Sequence, residues 1–320
     1  MLNSVCILLV KVFHKIKILS VNCSSIFRSK RQKELIKNLK NNINALPLLE
    51  RDKDANATWI KYRTDVREMI LEKNIDNFLN WPIIRSSMFH EGEKKELLEI
   101  MKINNFDNVW KSALKESKVG NPRSYQYLLS SSGNLIHNAY SLSTIAAEFD
   151  INISDLSRIF EFGGGYGSMC RLYFNLGFNG QYVIYDLPEF NYLQEYFLKS
   201  VFLNKDIAVY SGGQTKKHQI VLISDKNGLV SQFKEGDDSA DVFVATWSIS
   251  EAPVDVRELV FGAVKNPKYY LIAYRDNFEG VNNVAYFKNF MKIHDNYIWS
   301  NKEINHLPGN YFILGKRVDV

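Results

Sequence analysis

Cysteine is scarce in this 320-residue chain. Cys6, Cys23 and Cys170 are an odd three without metal-like spacing, so neither a disulfide framework nor a thiolate zinc site is expected, and a reducing cytoplasm fits best. The six histidines form no His-x-x-x-His pair and no cluster with carboxylates along the sequence, so no metal is expected unless distant loops gather its ligands. There is no long Ser/Gly/Pro linker and no internal repeat. No apolar run is long enough to span a bilayer.

Residues 1–20 come nearest to a membrane segment. Val5, Leu8, Leu9, Val12, Phe13, Ile16 and Leu19 share one helical face, while Lys11, Lys15 and Lys17 lie outside it. Peripheral contact with an anionic membrane stands beside the plainer reading of a docked amphipathic helix. The segment lacks the basic start and small-residue cleavage site of a signal peptide. Residues 1–50 carry net +7 and the other 270 residues sum to −2. A nucleic-acid enzyme is expected to surround its active site with positive charge, because phosphate contacts supply much of the affinity. No nucleic-acid partner is therefore expected.

What is present begins at Arg158. Arg158-Ile-Phe-Glu-Phe-Gly-Gly-Gly-Tyr-Gly-Ser-Met is an apolar strand with Glu161 near its carboxyl end, then Gly163, Gly165 and Gly167, then a helix start. Alternate glycines allow left-handed backbone turns and let a ligand lie against bare peptide groups. A dinucleotide fingerprint requires a glycine where Ser168 stands, and a phosphate-binding P-loop requires a lysine, which does not occur between Arg158 and Lys199. The remaining pattern, Glu161-x-Gly163-x-Gly165-x-Gly167, resembles the first motif of class I S-adenosylmethionine-dependent methyltransferases. A second strand, Gln181 to Tyr185, runs into Asp186-Leu187-Pro188, with Asp186 19 residues beyond Gly167. A right-handed crossover of that length sets the two strand ends side by side, where Asp186 can accept ribose hydroxyls.

Between them Met169, Leu172, Tyr173 and Leu176 define the buried face of a helix that stops at Gly177. Further strands are expected at 219–224, 241–246 and 269–274, followed by an antiparallel pair at 296–300 and 311–316 joined through His306-Leu-Pro-Gly-Asn310. The expected fold is α/β, a seven-stranded Rossmann-like methyltransferase sheet preceded by helices. The expected organisation is an amphipathic segment at 1–26, a helical lid or substrate region at 27–150 and the cofactor-binding domain at 151–320. The helical part is rich in aromatics, with Trp59, Phe78, Trp81 and Trp110 among them, and packing against the sheet is expected.

An acceptor hydroxyl must lose a proton, which calls for a carboxylate or imidazole within reach. The segment leaving the fourth major strand, Ala245-Thr-Trp-Ser-Ile-Ser-Glu251-Ala-Pro253, lies over the crevice. Here Trp247 can stack on cofactor or sugar, Ser248 and Ser250 can bind hydroxyls, and Glu251 can be the base; equally, Ser250 and Glu251 can open a helix. His137 and His306 are the other catalytic candidates. Arg123 and Tyr125, in the polar and aromatic stretch ahead of the first strand, are candidates to touch substrate or the cofactor carboxylate. Leu187 joins Glu161, Asp186 and the three glycines as a cofactor contact.

Four stretches narrow the resemblance: Phe160 to Gly167, Tyr185 to Phe190, Ser248-x-Ser250-Glu251, and Leu307 to Gly315. Together they resemble the sugar O-methyltransferase family found with bacterial surface-polysaccharide synthesis, over roughly residues 55–316. The resemblance implies S-adenosylmethionine as cofactor and a sugar, nucleotide-sugar or glycolipid-linked glycan as acceptor, met in the cytoplasm or at the inner membrane face. A methyltransferase of a non-sugar small molecule and a non-catalytic scaffold for glycan assembly are the rival readings.

Overall fold

The computed structural model describes residues 30–47, 56–210, 219–233 and 239–318. Residues 1–20, on which the membrane reading falls, lie outside that range. No helix of the described residues is long and apolar enough to cross a membrane.

Short runs of β-branched and aromatic residues build the sheet: β1 (Arg158–Phe162), β2 (Gln181–Tyr185), β3 (Ile207–Val209), β4 (Ile220–Ile223), β5 (Val242–Thr246) and β6 (Tyr269–Arg275). A small hairpin, β7 (Asn277–Phe278) and β8 (Val281–Asn282), stands apart, and β9 (Tyr297–Glu303) and β10 (Asn310–Arg317) close the chain. The sheet order is β3-β4-β2-β1-β5-β6-β10-β9, parallel from β3 to β6 and antiparallel across the last two pairings. This is the expected methyltransferase arrangement with an eighth strand. The addition, β3, is three residues on the outer edge, too short to leave a periodic signal.

Alternate strand residues feed opposite faces. Ile159, Ile184, Leu222 and Val244 enter the core under α6 (Gly133–Phe149), α7 (Ser168–Asn175) and α8 (Pro188–Val201), labels that follow five earlier helices: α1 (30–45), α2 (Ala57–Glu72), α3 (Pro82–Ser87), α4 (Lys94–Ile100) and α5 (Lys111–Ala113). Phe160, Val183, Ile223 and Phe243 enter the other core, under α9 (Lys226–Gln232), α10 (Val254–Ala263) and α11 (Asn283–Ile293). Both faces are buried, as a parallel sheet requires. The helices before residue 150 are part of the first core. Phe78 and Trp81 pack with Tyr166 and Phe197, the Phe78 ring lying 5.8 Å from Tyr166 and 6.2 Å from Phe197.

Register sets the ligand crevice. Phe162 of β1 is level with Tyr185 of β2, and Glu161 is level with Val244 of β5, so three parallel strands end together. Each is followed by a loop on the same edge of the sheet.

Candidate active site

At the end of β1 the chain turns through Gly163 (φ 70°) and Gly165 (φ 57°), both left-handed. A Cβ on Gly163 would stand 2.3 Å from the Ser248 Cβ, so only glycine lets the loops after β1 and β5 touch. The bare loop faces a cavity of about 430 Å³. Of the sequence candidates, Glu161, Gly163, Gly165, Asp186, Leu187, Trp247, Ser248, Glu251 and His137 line it.

Burial pushes the Glu161 carboxyl up to about 8; the Tyr182 hydroxyl, donating at 2.9 Å, pulls the other way, and nearby Asp186 adds to the rise. Burial likewise lifts Asp186 to about 7, against hydrogen bonds from the Leu187 N–H at 2.8 Å and the Gln194 amide at 2.7 Å. Gln194 also donates to the Gly165 carbonyl at 3.0 Å, so one α8 side chain ties the glycine loop to the β2 acid. Among the described residues neither carboxylate has an ion-pair partner. Two uncompensated acids beside a bare peptide wall fit a ligand that brings a positive charge and vicinal hydroxyls. S-adenosylmethionine has both.

A raised carboxyl favours the folded state only while protonated. The Glu161 contribution is therefore fully present below about pH 4.5 and lost as pH rises through about 8. In the ligand-free protein the melting temperature should fall more steeply between about pH 4.5 and about pH 8 than it does in Glu161→Gln. Parallel melting curves would show that the carboxylate already has a partner.

The opposite wall is the loop after β5. Trp247 is held at φ 62°, an unusual conformation for a bulky residue and one that costs about 1–3 kcal/mol. Its backbone N–H donates to Ala273 at 2.7 Å and its indole to Asn310 at 2.8 Å, which aims the ring at His137, 4.7 Å away. Ser248 donates to the Phe162 carbonyl, so its proton joins the two loops. Glu251 accepts from the Trp59 indole at 3.2 Å, and its own carbonyl accepts from Asn56, the cap of α2. Burial raises Glu251 to about 7, with Arg275 and Trp59 restraining the rise and Glu279 adding to it.

Five candidates lie elsewhere. Arg123 is exposed and donates to Asn80 at 3.0 Å. Tyr125 is buried where residues 120–131 fold back on themselves through its bridge to Leu128. Ser250 is fully buried and donates to the Trp247 carbonyl at 2.7 Å, closing the turn after β5 instead of meeting substrate. Gly167 forms the left-handed cap of α7 and packs on Leu198. His306 lies outside the cavity lining and contacts Glu96 at 2.9 Å.

Glu96 is the group that sequence reading missed. It is fully buried and touches His137 Nδ1 at 2.6 Å, and with His90 these residues form a His/carboxylate cluster drawn from separate segments, which spacing along the chain does not reveal. Burial would raise the Glu96 carboxyl, but hydrogen bonds from His137, the Glu93 backbone and His306 hold it at about 2. Burial, with His137 and His306 adding to it, pushes His90 down to about 4. His90 and Glu96 spend lone pairs on hydrogen bonds within the protein: His90 Nδ1 accepts from the Gly92 N–H at 3.0 Å, and Glu96 accepts from both other histidines.

The strand order, the antiparallel closing pair and the glycine crevice match the Rossmann-like methyltransferase arrangement expected from the sequence. No protein-family model matches the chain. No curated protein matches it either. Similar solved structures include precorrin-6y C5,15-methyltransferase from Geobacter metallireducens, at 14% identity over 61% of this chain and 93% of that one, with a TM-score of 0.36. An rRNA methylase from Streptococcus thermophilus is similar at 10% identity over 56% and 96%, with a TM-score of 0.38. An O-methyltransferase family protein from Burkholderia thailandensis is similar at 13% identity over 57% of each chain, with a TM-score of 0.34.

Proposed function

We propose that the chain is an S-adenosylmethionine-dependent O-methyltransferase acting on a sugar hydroxyl, with a nucleotide-sugar or a glycolipid-linked glycan of surface-polysaccharide synthesis as acceptor. The observation that carries this reading is a single cavity with two kinds of wall. Its lining includes Glu161, Asp186 and the glycine loop, and also the Trp247 ring with the amides Asn138 and Asn310, the latter bonded to the Trp247 indole. A pyranose has apolar faces and hydrogen-bonding edges, and an aromatic ring with amides suits both.

Bound S-adenosylmethionine supplies an electrophilic methyl carbon. The chain's own task is to align the acceptor oxygen behind that carbon, to exclude water and to take the acceptor's proton. Glu251 and His137, both on the cavity wall, are the groups able to take it. Against a nucleic-acid acceptor stands the lining itself. Among the described lining residues Arg275 is the lone arginine or lysine, outnumbered by the carboxylates Glu161, Asp186 and Glu251.

The test is transfer of labelled methyl from S-adenosylmethionine to a panel of nucleotide-sugars and lipid-linked glycans, with mass spectrometry of surface glycans from cells with and without the protein. Label in a sugar, and glycans lighter by one methylene when the protein is missing, are expected. Label appearing only in non-sugar acceptors would overturn the sugar assignment. Cofactor binding with no transfer to any acceptor would favour the scaffold.

A further inference from the structure

Given methyl transfer as proposed above, the buried cluster behind Trp247 decides which nitrogen meets the acceptor. Both Nδ1 of His137 and Nε2 of His306 lie on one oxygen of Glu96, Oε1, at 2.6 and 2.9 Å. The other oxygen, Oε2, accepts the Glu93 N–H at 2.9 Å. A carboxylate that accepts three hydrogen bonds is held ionised and has no proton to give, so each imidazole must donate. The tautomers follow. His137 carries its proton on Nδ1 and His306 on Nε2. The lone pair of neutral His137 is thereby on Nε2, at the far side of the ring from Glu96. His137 lines the cavity, and among the described residues no group hydrogen-bonds that nitrogen.

Its neighbours hold the ring in place without competing for the role. His90 stacks on His137 with 3.7 Å between centroids, and Trp247 covers it 4.7 Å away. His90 accepts the Gly92 N–H on Nδ1 at 3.0 Å, so its own proton is on Nε2 and it has no free lone pair. We infer that Glu96 is the positioning residue of the reaction: it fixes the His137 tautomer so that Nε2 is the general base for the acceptor hydroxyl, with His306 as a second donor that steadies the carboxylate. The acceptor O–H bond breaks toward Nε2 as the oxygen bonds to the methyl carbon, and the donor sulfur keeps the electron pair of the bond it loses. The imidazolium that results sits against the ionised Glu96, an arrangement of acid and imidazole that stabilises charge formed in the step.

Nitrogen-15 spectra of the full-length protein labelled at histidine, assigned with His137→Asn, read the tautomer directly. A protonated Nδ1 and a bare Nε2 on His137 are expected. In Glu96→Gln one acceptor oxygen replaces two, so the amide cannot satisfy His137, His306 and the Glu93 N–H together. That variant should bind S-adenosylmethionine as wild type does, keep its KM for acceptor within about twofold and lose about 10²-fold or more in kcat. A bare Nδ1 on wild-type His137, or an unchanged kcat in Glu96→Gln, would overturn the assignment. Should the variant fail to fold, the wild-type spectrum decides on its own. Wild type that does not bind S-adenosylmethionine by calorimetry would sink the methyl-transfer reading and the base role with it, a failure separate from a wrong tautomer.

Discussion

Gly165→Arg is expected to abolish S-adenosylmethionine binding, weakening it by at least about 10²-fold, while the chain stays folded. Gly165 lines the cavity at φ 57°, and its carbonyl is tied to Gln194. A side chain there is strained, at a cost of about 1–3 kcal/mol, which a domain of this size tolerates. The first added atom would lie 3.4 Å from the Met88 Cβ, in ordinary contact. The rest of an arginine has nowhere to go except into the space the ligand needs, and its guanidinium would pair with the carboxylates that otherwise await the cofactor. Calorimetry with S-adenosylmethionine, alongside thermal melting, checks both halves of the expectation. Gly262→Ala is the control, because a Cβ at Gly262 meets nothing within 4 Å. Undiminished affinity in Gly165→Arg would mean that the cofactor sits somewhere else.

Glu189→Ala should destabilise the protein by about 3–5 kcal/mol. Glu189 is fully buried in the first turn of α8, where its charge also complements the helix dipole. Its oxygens accept from Arg63 Nε at 2.6 Å and Arg67 Nη2 at 2.5 Å, both on α2. Truncation removes the acid and leaves the Arg63 guanidinium buried at 4% exposure beside an empty space. Arg67→Ala should cost less, since Arg67 is the more exposed partner. Urea unfolding of the variants gives the ranking. A loss below about 1 kcal/mol in Glu189→Ala would show that water or another acid takes its place.

The parts of this molecule that were legible in the sequence are those written locally. An apolar strand, three alternate glycines and an acid one crossover later occupy 29 consecutive positions, 158 to 186, and the backbone needs each of them where it stands. The closing pair β9 and β10 announced itself through a Leu-Pro-Gly-Asn turn. Glu96 did not, because along the chain it reads as the third residue of a helix opening, Glu93-x-x-Glu96, and that box does form. Its second oxygen is used 41 and 210 residues away, at His137 and His306, a convergence produced by tertiary packing alone. Arg123 and Tyr125 lie outside the cavity lining for the converse reason. Their sequence neighbourhood is polar and aromatic like that of a site, yet the turn they occupy closes on Asn80 and Leu128 and contributes neither of them to the cavity lining.

The bond from Asn56 to the Glu251 carbonyl, and from the Trp59 indole to its carboxylate, has a bearing on how a protein built this way can change. One wall of the pocket is furnished by the first turn of a helix that is also riveted to α8 through Glu189. The front half is thus no detachable cap that recombination might exchange to recruit a new acceptor. A graft would have to carry matching surfaces for both contacts, so new specificity is more accessible by point changes around Trp247 and Asn310 than by swapping modules.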